Sequence, residues 1–341
     1  MANNRVFYAV HAVGFKEDGV AGVVPTGREL HGAQSVSVDT NFNLEQIFEL
    51  GQIEIYENYE NKPEIQMTVE KALDGRPLIY HLATAGSTGP TLVARTTQKT
   101  IGVLGIWSDT YSSASGTPEK FVTCSGLYIQ SLNYSLPVDG NCTESVTFVG
   151  SDKVWTTGDA FEYDYINTDE SSASGMQRRE NVIMGEGAIC SLFPTDIPGI
   201  TSSGTNKLNA NGTAYSAHIQ NVTIATDLGR EDMYELGRKI EYYRFVNFPV
   251  KVTTTIEYMA NEGGDNVNAH ADTDNLSDQT IKIRLDDNTQ FYMGTKNKLE
   301  SVSYSGGDTG GGSVTVSMTY AGNNTLTITN PTTDPDTHAH V

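Results

Sequence analysis

A stretch of 35 residues occurs twice in this chain. Gln34–Thr68 (QSVSVDTNFNLEQIFELGQIEIYENYENKPEIQMT) lies over Gln220–Thr254 (QNVTIATDLGREDMYELGRKIEYYRFVNFPVKVTT) at a constant offset of 186, with no gap and eleven identities. Chance would give roughly two, so the window marks an internal duplication that any fold must accommodate. The triplet Glu49-Leu50-Gly51 meets Glu235-Leu236-Gly237, Tyr56 meets Tyr242, Asn61 meets Asn247 and Pro63 meets Pro249; Phe48 faces Tyr234 and Ile47 faces Met233.

Two later echoes keep the same order. Ile129–Ser135 (IQSLNYS) parallels Leu299–Ser305 (LESVSYS), and Ser145–Gly150 (SVTFVG) parallels Ser317–Gly322 (SMTYAG). The period is far too long for a solenoid, so each copy is the size of a small domain. The expected division is a first copy over 1–165, a small and polar linker over 166–180, a second copy over 181–330, and a flexible tail over 331–341.

The 341 residues are 38% hydrophobic, with 33 glycines and 17 tyrosines, and Thr, Val and Ser abound. That mixture favours strands joined by tight turns, an all-β class with minor α. Strands are expected over 5–15, 20–38, 99–107, 121–136, 144–149, 281–293 and 299–304, with Asp139-Gly140 turning a hairpin. Asp39-Thr40-Asn41 reads as a helix cap for a two-turn helix carrying Leu44, Ile47 and Phe48 on one face and ending at Gly51. A second short helix is expected from Leu78 to Ala83.

Several chemistries find no support. The Gly306–Gly312 stretch lacks the Lys-Ser/Thr of a phosphate-binding loop, no serine sits in G-x-S-x-G, and no H-E-x-x-H occurs. Acidic residues Glu262, Asp265, Asp272, Asp274 and Asp278 miss the calcium-loop spacing and read as a solvated loop. Neither a catalytic residue, a cofactor nor a metal is expected, and the chain is read as no enzyme. Cys124, Cys142 and Cys190 have no C-x-x-C spacing and read as reduced thiols. The net charge of −20 repels a phosphate backbone. No apolar run is long enough to cross a bilayer, and MANNRVFYAV has no signal-peptide pattern, so a soluble protein made in the cytosol is expected.

The block FELGQIEIYENYENKPEIQMTVEKALDGRPLIY, followed by IQSLNYSLPVDGNCTESVTFVGSDKVW, resembles tail tube proteins of tailed bacteriophages. The first copy carries both parts; the second carries the first part well and the late hairpin weakly. The resemblance implies two tandem β-barrel or sandwich domains, each with a short flanking helix, although residues 260–280 show no counterpart to the Leu78 helix. It further implies trimeric rings of pseudo-sixfold symmetry, or else hexameric rings with the second copy decorating the outside, stacked axially into the hollow tube of the virion tail and assembled in the host bacterial cytoplasm. DNA would pass without specific binding, past acidic side chains, with a sheath, baseplate hub, terminator and lumenal tape measure as further partners.

The excursions at 39–61 and 225–247 carry more apolar surface than solvent loops should. Phe42, Leu44, Ile47, Phe48, Leu50, Ile53, Ile55, Tyr56 and Tyr59, with Leu228, Met233, Tyr234, Leu236, Tyr242 and Phe245, are therefore the expected contacts between subunits or rings. Two rival readings stand beside this one. A baseplate hub or tail terminator would use the same paired barrels, and a tandem β-sandwich carbohydrate-binding or adhesin protein would group exposed aromatics on one face.

Overall fold

A computed structural model describes residues 11–18, 27–87, 89–108, 117–157, 163–164, 175–184, 191–197, 200, 218–260, 276–306 and 314–330. The first half runs β1 (His11–Glu17), β2 (Gly27–Glu29), β3 (Ala33–Asn41), β4 (Leu44–Phe48), β5 (Ile55–Glu60) and β6 (Glu64–Ala72). Helices α1 (Ile79–Ala83) and α2 (Leu92–Arg95) follow, then β7 (Thr100–Ile106), β8 (Lys120–Pro137), β9 (Thr143–Gly150), β10 (Asp152–Thr157) and β11 (Tyr163–Asp164). The second half runs β12 (His218–Asp227), β13 (Arg230–Met233), β14 (Tyr243–Val246), β15 (Lys251–Met259), β16 (Lys282–Arg284), β17 (Gln290–Tyr292), β18 (Lys298–Ser305), β19 (Thr315–Asn323) and β20 (Thr327–Thr329). The all-β class with minor helix is what the composition implied.

The duplication is visible element by element. β3, β6, β9 and β8 form four antiparallel neighbours in that order, and β12, β15, β19 and β18 repeat it. The strands β8 and β18 even share a bulge, between Ile129 and Ser131 in one and between Leu299 and Ser301 in the other. The hairpins β4–β5 and β13–β14 hold the same register, Leu44 opposite Glu60 and Arg230 opposite Val246. Their entry turns match as well: Asn43 and Gly229 have φ of 46° and 50°, the left-handed region that Asn and Gly tolerate best.

One correction concerns the gapless alignment itself. Val36 lies opposite Val69, whereas Val222 lies opposite Ile256, so the second copy gains one residue after its hairpin and β15 is offset by 187. The identity of Thr68 with Thr254 is therefore not structural. Thr68 corresponds to Thr255, and each faces a threonine on the neighbouring strand, Thr147 and Thr319, with hydroxyls 3.3 Å apart.

The two four-stranded units are one sheet. The C-terminal part of β8 pairs antiparallel with β12, Asn133 opposite Ala225 and Tyr134 opposite Ile224. Alternation keeps one face of the inner strands buried, through residues such as Val146, Phe148, Ile224, Ile256 and Met318, while at the two outer strands Val36 and Val38 of β3 are half-buried and Val302 and Tyr304 of β18 are exposed. Opposing layers complete the core. In the first half, the N-terminal part of β8 joins β7, β1, β2 and β11, with β10 on its other side. Gly102 lies close enough to Met67 that an added Cβ would sit 2.7 Å from its sulfur. In the second half, the sheet β16–β17–β20 buries Ile283, Phe291 and Ile328.

Both α-helices belong to the first half; among the described residues the second half has none, against the one per copy that the resemblance implied. Helix α1 is wholly buried and has no side-chain cap of its own. Buried Glu144 on β9 accepts from the N–H of Ile79 (2.7 Å) and Tyr80 (3.0 Å), and from the hydroxyl of Tyr134 (2.9 Å). The helical segment also ties the halves together, the N–H of Leu92 donating to Leu326 O at 3.2 Å, as does β8, whose Tyr134 ring lies 4.7 Å from that of Phe291. A single hydrophobic cluster runs through both halves.

Candidate assembly surfaces

Two hairpins project from one end of the eight-strand sheet. The expected helix after Asp39 is the strand β4 of the first hairpin. Leu44, Ile47 and Phe48 sit at helical spacing, but β5 lies opposite them and satisfies their backbone. All six residues of β5 and all five of β4 are exposed. Of the residues expected to make contacts, Phe42, Leu44, Ile47, Phe48, Leu50, Ile53, Ile55, Tyr56, Tyr59, Met233, Tyr234, Leu236, Tyr242 and Phe245 are exposed. Leu50 and Leu236 stand at the tips at 103% and 104% exposure. Leu228 is the exception: at 1% exposure it belongs to the core, below the base of the second hairpin, and makes no outward contact.

The sequence did not single out how the hairpins hold each other. Lys62, at the foot of β5, places its ammonium 2.8 Å from Asp232 and 2.5 Å from Glu241 of the second hairpin. Arg244 closes the cluster, 2.8 Å from Glu241 and 3.1 Å from Asp232. Burial pushes the Glu241 carboxyl up, but its contacts with Lys62 and Arg244 outweigh this and hold it at about 2. Between the hairpins lies a cleft of 760 Å³ lined by Tyr59, Lys62, Asp232, Tyr234, Arg238 and Lys239, among others. Arg230 roots the second hairpin on the first half: it donates to Ile129 O and Thr96 O, each at 2.6 Å, and stacks 4.6 Å over the Tyr128 ring.

The outward face of the eight-strand sheet is a field of small hydroxyls. Ser35, Ser37, Thr68, Ser145, Thr147, Ser135, Thr223, Thr253, Thr255, Ser317, Thr319 and Ser303 alternate along their strands with the larger side chains of the opposite face. Asp39, Glu70, Asp227 and Glu257 share this face; its Lys251 is paired at 2.5 Å with Glu300. The sheet ends in two edges. Among the described residues β3 pairs only with β6, and β18 only with β19. These edges are complementary in kind, since β8, the counterpart of β18, already pairs with β12, the counterpart of β3.

No group of three or more His, Cys, Asp or Glu residues placed to hold a metal occurs among the described residues, and none of their helices is long and apolar enough to cross a membrane. The stretch 262–274 and the glycines 307–312 lie outside the described residues.

The geometry defines a class: a duplicated β-sandwich whose halves share a sheet and whose outer edges repeat the two strands joined inside. No family model matches the chain, and no curated protein does. Among solved structures, one chain of the six-fold-symmetrised cryo-EM structure of the anti-feeding prophage baseplate is similar over 46% of this chain and 97% of its own. The identity is 12% and the TM-score 0.33, a likeness too slight to bear on function.

Proposed function

We propose that this chain is a structural subunit of a bacteriophage tail tube. Three copies close a ring of six repeats, and rings stack into a hollow conduit for DNA. The observation that carries this reading is the seam between β8 and β12. It joins two like units edge to edge in a heterologous manner, and a heterologous contact repeated by rotation closes into a ring. The free β18 and β3 would extend the seam to neighbouring chains, removing two edges that otherwise invite uncontrolled pairing.

The hydroxyl-rich, acidic face of the sheet then lines the bore. Among the described residues it offers no unpaired cationic cluster for phosphate, so DNA would slide without sticking. The hairpin tips supply axial contacts, where burying a large apolar side chain is worth about 1.5–3 kcal/mol. The ring would work with other tail proteins, such as a terminator, a baseplate hub and a lumenal tape measure, within a virion assembled in the host cytoplasm. The role is mechanical rather than enzymatic.

Negative-stain microscopy of the purified protein tests this. Long hollow tubes are expected, and the double variant Leu50→Asp/Leu236→Asp should give folded rings that no longer stack. Wild-type protein that forms only single rings would favour a baseplate hub or terminator. Protein that stays monomeric at all concentrations would reject the reading.

A further inference from the structure

The repeat turns the internal seam into a template for the external one, and the two differ in chemistry. Every charged residue of the cluster between the hairpins has an uncharged counterpart in the other copy. Lys62 corresponds to Phe248, Glu241 to Ile55, Asp232 to Gln46 and Arg244 to Asn58. The cleft follows suit in part: Arg238 is replaced by Gln52 and Lys239 by Ile53, whereas Glu64 corresponds to Lys251, which is paired with Glu300. Phe248 and Ile55 are both about half exposed in the single chain, at 47% and 42%. Phe248 also borders a largely apolar hollow of 440 Å³ with Thr96, Tyr242 and Phe245.

Resting on the tube reading, we propose that the occupant of this apolar hairpin flank is the first hairpin of a second copy of the chain. Phe248 packs against Ile55 of that copy where Lys62 meets Glu241 inside the chain. Seams in a ring would then alternate, ionic within chains and apolar between them. Ion pairs weaken with salt, whereas apolar contacts do not. The halves of a chain would thus be held by matched charges, while chains would join through the uncharged counterparts of those four positions.

Sedimentation velocity of the full chain tests the proposal on wild type, Phe248→Lys and Phe248→Lys/Ile55→Glu, at about 0.05 M and about 0.5 M salt. Both side chains are exposed, so melting of the monomer should be unchanged. Wild-type association is expected to be no weaker at high salt. Phe248→Lys should weaken association at least tenfold. Adding Ile55→Glu, which rebuilds the internal ion pair, should recover most of the loss and make association salt-sensitive. Phe248→Lys associating like wild type, or a double variant no better than the single one, would overturn the proposal while leaving self-assembly intact. Wild type that never associates would reject the tube reading itself.

Discussion

Glu241 shows how much one residue is asked to do at the internal seam. Its carboxyl sits beside Lys62 and Arg244 and is held at about 2, below the ordinary carboxylate value of 4.5. The docked hairpins therefore favour the ionised form. That contribution is complete above about pH 4.5, declines as the pH falls toward 2, and is absent below. Urea denaturation of wild type and Glu241→Gln across this range should show a stability difference that is constant above pH 5 and vanishes near pH 2. A difference that ignores pH would show that the cluster adds nothing through charge. Sequence reasoning passed over these residues because each looked like an ordinary surface charge. The signal was nevertheless present, in the charged positions of one copy that are uncharged in the other.

At the scale of elements, the alternation in 64–72 and 143–150 gave strands because one face of each is buried and the other is not, and in 33–41 because one face is half-buried and the other exposed. The hairpins were harder to read. β4 exposes all five residues, so no burial imposes a period of two, and Leu44, Ile47 and Phe48 mimicked a helical stripe. The short helix at Ile79 was legible from its apolar residues, but its anchor was not. Glu144 lies 65 residues away in sequence, and only the β6–β9 pairing brings it beneath the helix. Replacing Glu144 by Ala would strand two buried N–H groups and the Tyr134 hydroxyl without their acceptor. A loss of about 3 kcal/mol or more is expected in urea denaturation, with Glu144→Gln intermediate. A loss below about 1 kcal/mol would mean that the helix is held by packing alone.

For the whole molecule, the duplication was the most informative feature of the sequence, and the structure returns it as matched strand order, matched bulges and matched hairpins. What no pattern within one copy could tell is that the copies share a sheet, because edge pairing of β8 with β12 depends on which edges are left open. The gapless alignment also hid the residue gained before β15, since Thr254 and Thr255 are both threonine. If the seam recurs between chains, each partner of the internal pair maps onto its counterpart: Asn133 onto Ser303, and Ala225 onto Asp39.

The most direct test is disulfide trapping of assembled protein carrying Asp39→Cys and Ser303→Cys, with Cys190 changed to Ser. Cys124 and Cys142 are buried, and their thiols are pushed up to about 11 and about 12, so they do not compete. The account predicts a covalent closed trimer on non-reducing gels, and no such product when either cysteine is present alone. Assembled rings or tubes in which this pair fails to cross-link would contradict it.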